Sequence, residues 1–172
     1  MKMSTWQFQT LQNIAKEKGW HQFISMQDYY CLIYRENERE MIPYCRDTGV
    51  GLIPYSPLAR GLLARPYNVA EPTTRQKTDY FAEFMTGKTT NADVEIIGRV
   101  EKLAKEKGVS MATISLAWCL ARGVTPIVEL ASVGRVEETV EGYKWAKQGL
   151  LTREDVAFIE EKYIAKRLIG AS

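Results

Sequence analysis

Histidine occurs once in these 172 residues, as His21. A zinc site built from several histidines, or an H-E-x-x-H helix, is therefore excluded. A Ser-His-Asp triad would need His21 as its base, and "KGWHQF" reads as a turn just ahead of a strand. Cysteine is scarce as well. Cys31, Cys45 and Cys119 form no C-x-x-C pair and read as reduced thiols of a cytosolic protein. Neither sign of charge dominates: 23 Lys and Arg stand against 21 Asp and Glu, a net +2. That balance argues against a dedicated nucleic-acid binder. No apolar run approaches the roughly 20 residues of a membrane span. The opening Met1-Lys2-Met3-Ser4-Thr5-Trp6 lacks the apolar core of a secretion signal, so a cytoplasmic location is expected. The dinucleotide fingerprint G-x-G-x-x-G and the P-loop G-x-x-x-x-G-K-[ST] are both missing.

What is present is ordinary globular material, 45% hydrophobic and 26% charged. The length suits one domain, taken as residues 1–172. Helical patterning is read over residues 5–18, with Ser4 as N-cap and Gly19 as stop. A charged helix follows over 35–48 and another, capped by Asn91, over 91–107. Ser110 caps "SMATISLAWCLARG", Ser132 opens a helix over about 134–147, and Thr152 with Asp155 opens the last. Strands are read over 23–27, 50–55 and 125–130. Strands and helices alternate without tight hairpins, the pattern of βαβ units and a parallel sheet. A doubly wound sheet and a (β/α)₈ barrel both accommodate it. Hydroxyls, glycine and arginine after the second and third strands favour the barrel, whose phosphate sites use such loops. Three strands would make less than half of one.

The stretch "GVGLIPYSPLARGLL", residues 49–63, is the most informative. A continuous apolar run fits a strand buried on both faces. It ends in Tyr55, Ser56, Pro57, Leu58, Ala59, Arg60 and Gly61. Arginine beside glycine at a strand end suits an anion held near the backbone; an ordinary loop with a solvated arginine fits equally well. The long segment 64–90 is read as a loop, a length that usually signals function or mobility.

"FISMQDYYCLIYRENEREMIPYCRDTGVGLIPYSPLARGLL", followed in order by "TTRQKTD", "GVSMATISLAWCLARGVTPIV" and "RVEETV", resembles the aldo-keto reductases, in particular their fungal aryl-alcohol dehydrogenase-like branch. The resemblance implies a (β/α)₈ barrel that binds extended NADP(H) and interconverts aldehydes and alcohols. It implies that Tyr55 stacks on the nicotinamide and that Gln27 bonds its carboxamide. Ser56, Leu58, Arg60 and Gly61 would line the pyrophosphate, and Arg75 would close over the cofactor. Ser132, Arg135, Glu138 and Thr139 would hold the 2′-phosphate and adenine. An arginine fork at a helix N-terminus suits a phosphate on physical grounds too.

Two residues depart from the family pattern. Glu129 stands where glycine is usual, and a carboxylate there would repel an adenosine phosphate. Thr139 stands where asparagine is frequent. The family's catalytic Asp, Tyr, Lys and His lie on its first four strands, and this sequence aligns after the fifth. The resemblance thus implies a truncated, carboxyl-terminal part carrying about the last three strand–helix units, with part of the cofactor site, no catalytic group and no metal. NADP(H) binding is expected to be weak in the chain alone. Open strand edges imply self-association or pairing with a complementary amino-terminal half. The alternative is a non-enzymatic nucleotide-binding or subunit-interaction module derived from the family.

Overall fold

A computed structural model describes residues 3–68 and 89–168. Two short parallel strands, β1 (Ser25–Met26) and β2 (Gly51–Leu52), pair in the register Ser25 to Gly51 and Met26 to Leu52. Their ladder continues past both elements. Gly51, Ile53 and Tyr55 donate to the carbonyls of Ile24, Met26 and Asp28 at 2.8–2.9 Å.

Among the described residues six α-helices accompany them: α1 (Thr5–Glu17), α2 (Met41–Thr48), α3 (Asn91–Lys107), α4 (Met111–Ala121), α5 (Val133–Lys147) and α6 (Arg153–Glu160). Their caps follow from sequence. The Thr90 and Asp93 side chains each bond the other's backbone N–H at the start of α3, and Thr152 with Asp155 repeats the device at α6. Thr90, one residue ahead of the expected Asn91, is the cap. Among the described residues no helix is long and apolar enough to cross a membrane.

The architecture agrees with the expected α/β class and parallel strand direction. Strands β1 and β2 are shorter than the expected 23–27 and 50–55, and two further elements differ. The helix expected over 35–48 is a 3₁₀ turn, Glu36–Glu38, followed by α2 from Met41. A helix begun at Arg35 would bury Pro43 in its interior, where the missing N–H breaks the ladder. Starting at Met41 places Pro43 in the first turn, where no donor is needed. The third strand is only a fragment. Thr125 and Ile127 donate to Leu52 and Pro54 at 2.9 and 2.8 Å, and Tyr55 and Ile127 form one parallel bridge. Pro126 sits between those donors and contributes no N–H of its own, and among the described residues no strand pairs with the outer side of this segment.

The core lies between the strands and the α3, α4 and α6 helices. Ile96, Ile97, Val100, Ile114, Trp118 and Ile159 are fully buried in it. So is the whole run from Tyr29 to Tyr34, which the sequence reading left outside any element. Cys31 and Tyr34 exchange backbone bonds at 3.1 and 2.9 Å, which folds the run back on itself and pairs the backbone groups of these two residues in an apolar setting.

Candidate functional site at the strand ends

Tyr55 follows β2 at its carboxyl end. Its N–H donates to Asp28 and its backbone bridges both Tyr29 and Ile127, so it is pinned between two neighbouring segments. The side chain is half-buried. Burial, then the charges of Asp28 and Tyr34, pushes its hydroxyl up to about 12, so the ring stays a neutral phenol at physiological pH.

The loop beyond it is conformationally strained. Ser56, Ala59 and Arg60 hold φ values of 53°, 47° and 57°, followed by Gly61 at 99°. Left-handed backbone in non-glycine residues costs on the order of 1–3 kcal/mol each and persists where the surroundings enforce it. Here the enforcement is visible. Ala59 and Leu63 are fully buried, Ala59 donates to Ser56, and both Gly61 and Leu63 donate to the Leu58 carbonyl. The Ser115 hydroxyl of α4 ties down the Leu63 carbonyl at 3.1 Å.

The second half of the site is the start of α5. The Ser132 hydroxyl accepts from the Arg135 N–H at 3.4 Å, and no acidic residue lies in the first turn. Ser132, Arg135 and Glu138 are exposed and Thr139 is half-buried. A groove of about 330 Å³ between α4 and α5 brings Leu58 together with Arg135, Glu138, Thr139 and Glu129. Its floor is apolar, including Ala112, Leu116 and Leu120 of α4. Gln27, Tyr55, Ser56, Arg60, Gly61 and Ser132 do not belong to its lining. Gln27 is exposed one residue past β1. Arg75 lies outside the described residues.

The sequence reading missed two residues beside Tyr55. Tyr29 packs on Tyr55 with ring centroids 5.7 Å apart, and Tyr34 packs on Tyr29 at 4.8 Å. The continuous apolar run "YYCLIY" was the available signal. It also missed the α4 face that floors the groove. Among the described residues no group of His, Cys, Asp and Glu is placed to hold a metal ion.

The donor chemistry fits a phosphorylated dinucleotide: a neutral aromatic face, a cation and hydroxyl at a helix N-terminus without acidic residues, and a strained glycine-containing loop. The Glu129 carboxylate on the same groove works against a phosphate there.

Both halves sit beyond the carboxyl ends of parallel strands, where α/β proteins of the barrel and open-sheet classes bind their ligands. The Aldo/keto reductase family model matches residues 2–164, and the chain belongs to that family. It is 48% identical over 168 residues to the versiconal hemiacetal acetate reductase of Aspergillus parasiticus, covering 96% of this chain and 48% of that protein. A protein of Schizosaccharomyces pombe provisionally named an aryl-alcohol dehydrogenase is 49% identical over 164 residues, 94% of this chain and 44% of that one. The aldo-keto reductase dtxS3 of Metarhizium robertsii is 44% identical over 170 residues, 99% of this chain and 45% of that protein. The chain thus spans less than half the length of these relatives.

Proposed function

We propose that this chain forms the cofactor-holding part of an NADP(H)-dependent aldo-keto reductase that interconverts small aldehydes and alcohols. The observation that carries the reading is Tyr55, a neutral, half-buried ring fixed at the end of β2 by bridges on both sides. In this reading its face packs on the nicotinamide, and Gln27 bonds the carboxamide. Ser56, Leu58, Arg60 and Gly61 follow the pyrophosphate, and Arg75 closes over it. Ser132, Arg135, Glu138 and Thr139 hold the adenosine and its 2′-phosphate. The nicotinamide, when bound, supplies a hydride to a carbonyl carbon, and a positioned acid must protonate the oxygen.

The family's Asp, Tyr, Lys and His group has no counterpart in these residues, and His21 stands outside its context. The fold is read as part of a (β/α)₈ barrel, with the exposed Ile24 and Ile127 at the two open edges meeting strands of a complementary half or a second copy.

Calorimetry with NADPH and NADH tests the cofactor reading. NADPH should bind, weakly and more tightly than NADH, and Arg135→Ala should remove the difference. Equal affinities in the starting protein would refute the 2′-phosphate role. The chain alone should not accelerate NADPH oxidation by an aromatic aldehyde, because a positioned acid typically contributes about 10²–10⁴-fold. Turnover that persists through repurification would show that these residues hold a proton donor of their own.

A further inference from the structure

We propose that Tyr29 is a positioning residue that sets the plane of Tyr55 and through it the affinity for the nicotinamide end of the cofactor. The inference rests on the reading of Tyr55 given above.

Three tyrosine rings form a graded stack. Tyr34 and Tyr29 are 4% and 2% exposed, whereas Tyr55 is half-buried. The Tyr29 ring therefore has protein around it, and the Tyr55 ring is the outer member of the series. Centroids lie 4.8 Å apart for Tyr34 and Tyr29 and 5.7 Å for Tyr29 and Tyr55, with 34° between planes in each pair. Both separations fall in the range where the ring quadrupoles favour offset or tilted contact.

The backbone reinforces the pairing. Tyr29 and Tyr55 are partners in a parallel bridge, and the residue before Tyr29 accepts the Tyr55 N–H at 2.9 Å. Position and ring plane of Tyr55 are thus fixed from the same side. Tyr29 itself is held by the packing of its ring on Tyr34; the 3.6 Å contact that its hydroxyl accepts from the Cys31 thiol is weak beside that packing. Tyr55 lies beside a loop with three left-handed non-glycine residues. A ring joined to such a loop needs support from another element to keep one orientation, and Tyr29 is the buried group that supplies it.

The test compares two probes that share the adenosine 2′-phosphate and pyrophosphate. NADPH carries the nicotinamide; 2′-phospho-ADP-ribose lacks it. Tyr29→Leu removes the supporting ring, and Tyr29→Phe keeps it. We expect Tyr29→Leu to weaken NADPH by about threefold to tenfold and to leave 2′-phospho-ADP-ribose within twofold. Tyr29→Phe should bind both as the starting protein does. Equal losses for both probes, or none, would overturn the inference. Starting protein that binds NADPH no tighter than 2′-phospho-ADP-ribose would overturn the Tyr55 reading itself, and this one with it.

Fluorine NMR of the unsubstituted chain labelled with 3-fluorotyrosine decides the matter should Tyr29→Leu fail to fold. The Tyr29 signal, assigned by its loss in Tyr29→Phe, should move with NADPH and stay in place with 2′-phospho-ADP-ribose. A signal indifferent to both, or moved alike by both, would overturn the inference.

Discussion

The indole N–H of Trp118 donates to the Glu160 carboxylate at 2.7 Å. Trp118 is fully buried in α4 and Glu160 closes α6, so one bond joins two helices across the core. Tyr30 stacks on the same indole at 5.1 Å, and Arg35 reaches Glu160 at 3.2 Å. The strand side and the helix side of the protein therefore meet on one ring. Trp118→Phe keeps an aromatic and deletes the donor. A hydrogen bond to a charged group is worth about 1.5–3 kcal/mol, so the urea midpoint should fall by at least that equivalent, with lost packing added. An unchanged midpoint would show that the bond contributes nothing net.

Two glycines inside helices should respond oppositely to alanine. A Cβ on Gly142 in α5 would lie 2.9 Å from Thr113 Oγ1 and 3.0 Å from its Cγ2, while a Cβ on Gly98 in α3 meets nothing within 4 Å. Alanine gains about 1 kcal/mol of helix propensity at either position. At Gly98 the gain stands alone, and Gly98→Ala should raise the melting temperature. At Gly142 the buried, β-branched Thr113 cannot turn aside, and overpacking costs about 1–3 kcal/mol. Gly142→Ala should therefore melt no higher than the starting protein. A clear rise there would mean that α4 and α5 are not closely packed.

Acid should loosen the contact between the 35–38 segment and the rest. Burial alone would raise the Glu38 pKa, but hydrogen bonds from Arg35 and Tyr30 and the charges of Arg35 and Arg122 outweigh it and hold it below the ordinary glutamate value. A depressed carboxylate contributes stability in full above its unfolded pKa of about 4.3 and loses it as pH falls through the folded value. Unfolding profiles from pH 7 to pH 3 should show a drop that begins near the unfolded value of about 4.3 and lies on its acid side. Glu38→Gln should flatten the drop while lowering stability at pH 7. Parallel profiles for the two proteins would assign the acid sensitivity elsewhere.

Ile24 and Ile127, on opposite outer segments of the parallel array, are 85% and 44% exposed. Burying an isoleucine is worth about 1.5–3 kcal/mol, and charged residues blunt open edges. The chain should sediment as concentration-dependent assemblies, and Ile24→Lys with Ile127→Lys should shift it toward monomer. A sharp, concentration-independent monomer before any substitution would show that the edges need no cover.

Helix positions were legible because their signals are local. Ser110, Ser132 and Thr152 mark the helix starts, and Gly49 and Gly108 close α2 and α3 in the left-handed conformation that glycine favours. The parallel direction was legible from alternation. The split of 35–48 was not, because apolar spacing there obscured the constraint at Pro43. The Tyr29 to Tyr34 run was half legible: a continuous apolar run signals burial but carries no period from which to assign an element. In the site, the grouping of Arg135, Glu138 and Thr139 came from the family resemblance, and their i, i+3, i+4 positions on α5 agree with it. Their meeting with Leu58 depends on tertiary packing, as does the placing of Tyr29 behind Tyr55, and neither spacing nor propensity encodes it.

The side chain of Glu36, 1% exposed, accepts from the Tyr163 hydroxyl and the Lys166 N–H, each at 2.6 Å. These partners are separated by 127 and 130 residues. Contacts of such span are formed late, since ordering the intervening chain must come before they reward it. During synthesis, Glu36 emerges long before either partner exists. Its carboxylate must stay solvated through that interval, and the Tyr29 to Tyr34 run beside it cannot be sealed. The nascent chain would then present this apolar segment to chaperones until Tyr163 has been translated.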